Sequence, residues 1–325
     1  MKIAVIGAGG WGTALAILAA TNGHQVALWA RRCELATLLA EKRVNHTYLP
    51  GIRLPDNVRP GCNGERALSG AKLAVIAVPA KGVKEVVSSL PVAPAYVSAV
   101  KGVRYRQGRL LRVTEIISQV QADRPLAVLS GPNLALEIAQ GLPAAAVAAS
   151  VETGLAETIQ EVLAGLTFRV YTSSDVIGVE LGGALKNVMA LAAGMADGLK
   201  LGDNSKAALL TRGLREMVRF GTAHGGRRDT FYGLSGLGDL LATAASPLSR
   251  NRTAGERLAQ GASLAQLEAG QQIVEGVYTT AALHDWAIAK GEDLPITDAV
   301  WRVVYRNANP RQVLVELMRR APKME

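Results

Sequence analysis

Ile3-Ala4-Val5-Ile6-Gly7-Ala8-Gly9-Gly10-Trp11-Gly12, at the start of a 325-residue chain, is the stretch whose reading decides the fold. An uninterrupted apolar run reads as a strand covered on both faces. The glycines that follow stand at the first, third and sixth places of G-x-G-x-x-G, and Thr13–Thr21 then has a helix-compatible, alanine-rich composition. Each glycine has its own task. Gly7 allows the tight turn, Gly9 lets backbone approach a pyrophosphate, and Gly12 lets helix and strand pack closely. The helix N-terminus adds partial positive charge. A strand, a glycine loop and a helix in that order predict a dinucleotide site.

Working outward, the same alternation continues. Val26–Trp29, Leu73–Val78, Tyr96–Val100 and Leu126–Leu129 read as further strands, with Ala144–Ala148 and Phe168–Tyr171 as weaker ones. Between them lie the helix-compatible stretches Leu35–Arg43, Arg109–Gln119 and Thr153–Ala164. Such alternation implies βαβ units, hence an α/β Rossmann-type domain with a parallel sheet. The pattern changes near Asp175. From Gly178 onward only helical segments are expected, roughly 178–199, 205–224, 250–260, 276–290, 295–306 and 311–320, with Asn204 capping the second. The expected division is a dinucleotide-binding domain over 1–178 and an all-helical substrate domain over 179–325.

Composition narrows the function. A hydrophobic share of 49% excludes a disordered chain. Cys33 and Cys62 are too few for a disulfide scaffold, and with four histidines they form no metal-ligand cluster, so no metal is expected. No signal-peptide core is visible, and the apolar run Val188–Ala196 stops at Asp197, short of a bilayer span. A reducing, cytoplasmic setting is expected. The net charge of +9 is compatible with nucleic acid, a membrane surface or small anions. An aromatic share of 4% and dispersed arginines argue against nucleic acid. The arginines and lysine near the C-terminus (302, 306, 311, 319, 320 and 323) read as solvated helix surface.

The second strand ends in Trp29-Ala30-Arg31-Arg32-Cys33-Glu34. Two arginines there suit the 2′-phosphate of NADP, while Glu34 leaves NAD open. Farther on, Gly182-Gly183-Ala184-Leu185-Lys186-Asn187 sets one lysine among small and apolar residues. A partly desolvated lysine has a depressed pKa and can exchange a proton with a carbonyl/alcohol pair. A glycine-rich run leads to Asp239, and Ser249-Arg250-Asn251 offers three kinds of donor to a phosphate. Each has an ordinary structural reading too: a snorkelling lysine, a helix cap and a surface charge.

Taken together the motifs resemble the bacterial-type NAD(P)-dependent glycerol-3-phosphate dehydrogenases. The resemblance rests on the loop 7–16, Tyr48-Leu49-Pro50-Gly51, Ala77-Val78-Pro79, Val100-Lys101-Gly102-Val103 and Ser130-Gly131-Pro132. It continues through Gly182–Asn187, Gly202-Asp203-Asn204, Thr211–Leu214 and Val274-Glu275-Gly276-Val277. It implies reversible reduction of dihydroxyacetone phosphate to sn-glycerol 3-phosphate, which supplies phospholipid synthesis. It makes Lys186 the proton donor and acceptor, and Lys101 a support for the developing alkoxide. Gly131, Asn133, Asn187, Asp239 and Thr243 would meet or orient the substrate, and Ser249, Arg250 and Asn251 its phosphate. Gly7, Gly9, Gly10, Trp11, Gly12, Arg31, Arg32, Lys101, Ala135, Arg250, Ile273 and Glu275 would meet the cofactor, NADP(H) in preference to NAD(H). A homodimer is expected.

Two positions depart from the family pattern, and the first is the one that matters. Asn133 stands where the family has serine or threonine, so substrate affinity is the property most exposed to change. Ile273 replaces the usual valine. Competing readings are a Rossmann reductase of another hydroxy acid, such as ketopantoate, and a non-catalytic dinucleotide sensor. The Ser-Arg-Asn stretch argues against the first. The presence of Lys101, Lys186 and Asp239 argues against the second.

Overall fold

Strands and helices alternate from the first residue because the apolar runs are short and each is closed by glycine, proline or a polar turn. The computed structural model describes residues 1–270 and 273–321, so Lys323 lies outside the described residues. In chain order the first half runs β1 (Lys2–Ile6), α1 (Gly10–Thr21), β2 (Gln25–Trp29), α2 (Cys33–Lys42), β3 (Val44–Asn45), β4 (Leu49–Arg53), β5 (Val58–Gly61), α3 (Gly64–Leu68) and β6 (Leu73–Ile76). It continues with α4 (Val83–Ser89), β7 (Tyr96–Ser98), β8 (Val103–Arg106), β9 (Arg109–Arg112), α5 (Val113–Val120), β10 (Leu126–Ser130), α6 (Ala135–Ala139), β11 (Ala144–Ser150), α7 (Thr153–Leu163) and β12 (Phe168–Ser173).

Eight of these strands form one sheet in the order β12-β11-β10-β7-β6-β1-β2-β5. From β10 to β5 every pairing is parallel. The expected parallel sheet is parallel-dominated, with one exception: β11 pairs antiparallel with β10, and β12 pairs parallel with β11. The connection through α6 brings Val147 back beside Ser130, at the end where β10 stops, so no crossover to the far end is made. Leaving β1, the chain steps to β2 on one side and later to β6 on the other. That reversal opens a crevice at the carboxyl ends of the strands, the usual ligand position in such sheets.

The expected helix over Arg109–Gln119 is half right. Arg109–Arg112 pairs antiparallel with Val103–Arg106, and the helix starts only at Val113. Gln107 and Gly108, with φ of 51° and 75°, make the tight reversal, the left-handed pair that two-residue hairpins require. Sequence reading also passed over β3, only two residues long, and β4 and β5, which carry proline, glycine and arginine in place of an apolar run.

The second half is helical: α8 (Val176–Gly198), α9 (Gly202–Ala223), α10 (Arg228–Tyr232), α11 (Asp239–Ala245), α12 (Arg250–Ala259), α13 (Leu264–Glu268), α14 (Glu275–Lys290), α15 (Pro295–Arg306) and α16 (Pro310–Met318). Asp175 turns the chain into it. One carboxylate oxygen caps α8 through the Gly178 amide at 2.8 Å, and the other accepts from the Arg227 amide at 2.8 Å and the Thr230 hydroxyl at 2.6 Å. The expected Asn204 cap does not form. Gly202, at φ 80°, already begins α9, which leaves Asn204 inside the first turn.

Helix α8 is longer than the apolar run Val188–Ala196 suggested, and it passes the length and hydropathy test for a bilayer span. It is instead the core helix of this half, 89% of its apolar window being buried. Glycines set how closely its neighbours approach. A β-carbon on Gly194 would fall on the Arg252 carbonyl of α12, and one on Gly255 of α12 would fall on the Leu191 carbonyl of α8. Backbone-to-backbone contact of this kind fixes α12 against α8.

Cys33 and Cys62, expected to be reduced, form a disulfide with Cα atoms 5.1 Å apart. Parallel pairing of β5 with β2 brings the residue after β5 alongside the first residue of α2. Of the C-terminal basic residues, Arg302 meets Glu316 at 2.6 Å and Arg306 lies over the Trp301 ring.

Candidate active site

The glycine loop follows its expected division of labour. Gly7 has a φ of 122° and a backbone amide bonded to the Trp29 carbonyl at 2.9 Å. A β-carbon on Gly12 would collide with the Gly7 carbonyl, whereas one on Gly9 would meet nothing within 4 Å. That open face at the N-cap of α1 is where an anion can approach the free amides. Gly10 lies against the Tyr48 carbonyl and the Ala135 methyl. Trp11 donates its indole N–H to the Ala99 carbonyl at 3.2 Å, tying the loop to the end of β7.

A residue that sequence reading missed holds this loop. Asn45 is buried, and its amide nitrogen donates to the Ala8 carbonyl at 3.0 Å and the Thr13 hydroxyl at 2.8 Å. Its oxygen accepts from the Tyr48 amide at 3.1 Å. The Tyr48 hydroxyl in turn accepts from Arg32 at 3.1 Å. The only cue in the sequence is its place three residues ahead of Tyr48. Arg31 and Arg32 are exposed just beyond β2, open to an anionic ligand.

Across the crevice, α8 presents Lys186 and Asn187, both buried. Asp239 follows a single π-helical turn over Leu234–Gly238 and begins α11, which also carries Thr243. Gly236 makes that turn possible, since a β-carbon there would fall on the Phe231 backbone. The Lys186 ammonium donates to Thr243 Oγ1 at 2.6 Å and lies 2.9 Å from Asp239 Oδ1. Lys101, from the loop after β7, reaches the other oxygen of Asp239 at 2.7 Å and the Gly131 carbonyl at 2.8 Å. One carboxylate thus sits between two ammonium groups, leaving net positive charge.

Burial and the Lys101 charge push the Lys186 pKa down, against the pull of Asp239, from 10.5 to about 8. Asp239 is itself buried, which works against ionisation, but the two ammonium groups outweigh burial and hold its carboxyl below the usual range. Such a lysine can both give and accept a proton near neutrality.

Amide relays lock the surroundings. Asn187 donates to the Lys101 carbonyl at 2.9 Å, and Asn251 donates to the Asn187 oxygen at 2.8 Å. The Asn251 oxygen accepts from the Gly276 amide at 2.9 Å. Both ends of Asn251 are therefore engaged by the chain itself. Of its stretch, Arg250 is exposed and Ser249, the N-cap of α12, accepts from the Arg252 amide and keeps its hydroxyl hydrogen free. Arg250 also lines a groove of about 430 Å³ with Leu248, Thr253, Arg257 and Val274. Ile273 lies in an adjoining depression with Lys81 and Tyr278. Glu275 accepts from the Ala80 amide at 3.0 Å, and its partial burial raises the carboxyl pKa despite that bond and nearby Arg250. Asn133 turns its amide nitrogen to the Ala145 carbonyl at 3.0 Å, while its oxygen is buried with no hydrogen-bond partner among the described residues.

A strand-end glycine loop facing a buried lysine–carboxylate–lysine group defines a dinucleotide-dependent oxidoreductase. Comparison with known proteins specifies it. Residues 2–156 match the model for the NAD-dependent glycerol-3-phosphate dehydrogenase N-terminus, and residues 175–315 match that for its C-terminus. The chain is 54% identical over 325 residues to glycerol-3-phosphate dehydrogenase (NAD(P)+) of Thermus thermophilus, covering 100% of both chains. It is 51% identical to the Deinococcus radiodurans protein of the same description, covering 99% of this chain and 96% of that one. The crystal structure of glycerol-3-phosphate dehydrogenase from Coxiella burnetii superposes with a TM-score of 0.93 at 37% identity, covering 98% and 99% of the two chains. A ketopantoate reductase structure from Ralstonia eutropha, at 16% identity and a TM-score of 0.57, shares the fold alone. The chain belongs to the NAD(P)-dependent glycerol-3-phosphate dehydrogenase family.

Proposed function

We propose that the chain reversibly reduces dihydroxyacetone phosphate to sn-glycerol 3-phosphate, with NADP(H) preferred over NAD(H), and so supplies the glycerol phosphate backbone of phospholipids. The observation that carries the reading is the buried Lys186, held between Asp239 and Thr243 with its pKa lowered to about 8. A dinucleotide held at the glycine loop would supply or receive the hydride at substrate C2. In reduction Lys186 gives its proton to the carbonyl oxygen as that oxygen becomes an alkoxide; in oxidation it takes the proton back. Lys101 offsets the developing negative charge, and Asp239 and Thr243 aim the Lys186 nitrogen. Asn187 fixes the Lys101 backbone.

Arg250, exposed at the start of α12, suits the substrate phosphate, with the Ser249 hydroxyl and the helix N-terminus beside it. Binding there anchors a remote group and supports orientation at the reacting carbon. The open face of Gly9, the Arg31–Arg32 pair and Glu275 fit a dinucleotide, and the arginines favour one with a 2′-phosphate. Residues 1–178 would hold that cofactor and 179–325 the substrate, the protein acting as a cytoplasmic homodimer; sedimentation would read the last point. The direct test follows NADPH and NADH oxidation at 340 nm with dihydroxyacetone phosphate. Absence of turnover with both cofactors would overturn the reading.

A further inference from the structure

The disulfide stands at the adenosine end of the proposed cofactor cleft, one residue past the arginine pair. Cys33 is the first residue of α2, directly after Arg31-Arg32, and Cys62 directly follows β5. The β2–β5 ladder closes on its last rung, Trp29 with Gly61. Just beyond it the Ala30 amide donates to the Gly61 carbonyl at 2.9 Å, and the Trp29 indole N–H donates to the Cys62 carbonyl at 3.0 Å. The turn Ala30-Arg31-Arg32 is therefore held behind by the ladder and ahead by the sulfur bridge. Among the described residues the Arg31 side chain has no hydrogen bond or ion pair, and Arg32 donates to the Tyr48 hydroxyl while its carbonyl accepts from the Ala36 amide at 3.2 Å.

The bridge is within reach of solution reductants: Cys33 is exposed and Cys62 partly so. Cys33 also begins helix α2, directly after Arg31 and Arg32 in the chain, and a helix N-terminus is an electropositive setting that favours thiol–disulfide exchange. We infer that Cys33–Cys62 is a redox-modifiable site that tunes affinity for the 2′-phosphorylated dinucleotide by fixing or releasing the Arg31–Arg32 turn. The chemistry is exchange with a dithiol. One thiolate of the reductant attacks a sulfur of the bridge, a mixed disulfide forms, and the second thiol displaces it. Two electrons and two protons pass to the protein, giving two cysteine thiols and an oxidised, cyclic reductant; a small-molecule disulfide runs the steps backward.

The inference rests on the proposed pairing of Arg31 and Arg32 with the 2′-phosphate, and its test separates the two. Intact enzyme purified without thiols is compared before and after dithiothreitol, with iodoacetamide labelling and mass spectrometry to count free thiols. Labelling is expected only after reduction. KM for NADPH is expected to rise about tenfold, the order of one charge-assisted hydrogen bond lost, with kcat unchanged and KM for NADH moving less. The Cys33→Ser/Cys62→Ser variant is expected to match the reduced enzyme and ignore dithiothreitol. Two labelled thiols before reduction, or the same KM for NADPH in both forms, would overturn the inference even if the variant fails to fold. In parallel, Arg31→Ala/Arg32→Ala tests the pairing itself. If it loses discrimination between NADPH and NADH while the redox forms stay alike, only the redox inference falls. If the redox forms differ while the arginine variant discriminates as before, the pairing falls and with it the route through the Arg31–Arg32 turn, leaving only the redox sensitivity of the bridge.

Discussion

At the scale of single residues, the chemistry reduces to where one proton sits. Lys186 releases its proton near pH 8 in the folded chain and near 10.5 when unfolded. Reduction needs the ammonium, so its rate is expected to fall as pH rises through about 8; oxidation needs the amine and should rise over the same interval. Profiles of kcat in the two directions check this, and parallel profiles would contradict it. The same shift makes the stability contribution of Lys186 rise between pH 8 and 10.5, because there the unfolded chain binds more protons. Lys186→Ala is expected to lower kcat by about a hundredfold or more while cofactor affinity, read by fluorescence titration, stays near normal. Asn45 acts at one remove. Asn45→Ala strands the Ala8 carbonyl and the Tyr48 amide, costing about 1–3 kcal/mol in chemical denaturation. It should also weaken NADPH and NADH together, whereas a purely structural cavity would leave their KM values alone.

At the scale of elements, the decisive contact is the crossing of α8 and α12. Glycines at 194 and 255 let each backbone touch the other, which brings Asn251 to Asn187 and thereby Arg250 to the mouth of the cleft. Gly255→Ala is expected to destabilise by about 1–3 kcal/mol through overpacking, despite the better helix propensity of alanine. A thermal melt shows the loss, and a raised KM for dihydroxyacetone phosphate should accompany it. Elements were legible in proportion to their apolar continuity. The runs at 3–6, 26–29 and 73–76 announced buried strands, whereas Val58-Arg59-Pro60-Gly61 did not, because an edge strand tolerates proline and charge. Hairpin β8–β9 was hidden for another reason: β8 alternates arginines with Val103 and Tyr105, which pack on the helical half, but β9 reads Arg109-Leu110-Leu111-Arg112, short enough to pass for one helical turn.

At the scale of the whole molecule, what the sequence left open was mutual placement. Lys101, Lys186 and Asp239 could each be named, but only the fold brings residues 138 and 53 positions from Asp239 onto its two oxygens. The use of Asn251 as an interhelical strut and the Cys33–Cys62 bridge were likewise beyond reach, since both depend on register between distant elements. Asp239→Asn removes the counter-ion of two lysines at once. It is expected to move the kcat profile for reduction to lower pH and to cost about 3–5 kcal/mol in stability, as loss of one partner in a buried ion group does. An unmoved profile would show that Asp239 does not act on Lys186. The same three-charge group also bears on how such enzymes can be rebuilt. Its members come from the loop after β7 and from two helices beyond Asp175, so the Lys101 ammonium of the first half meets a carboxylate that only the second half supplies. A chimera joining the first half to a foreign partner would leave the Lys101 ammonium without its carboxylate, even with every apolar contact preserved. For recombination, natural or engineered, the two halves are a matched pair and not interchangeable modules.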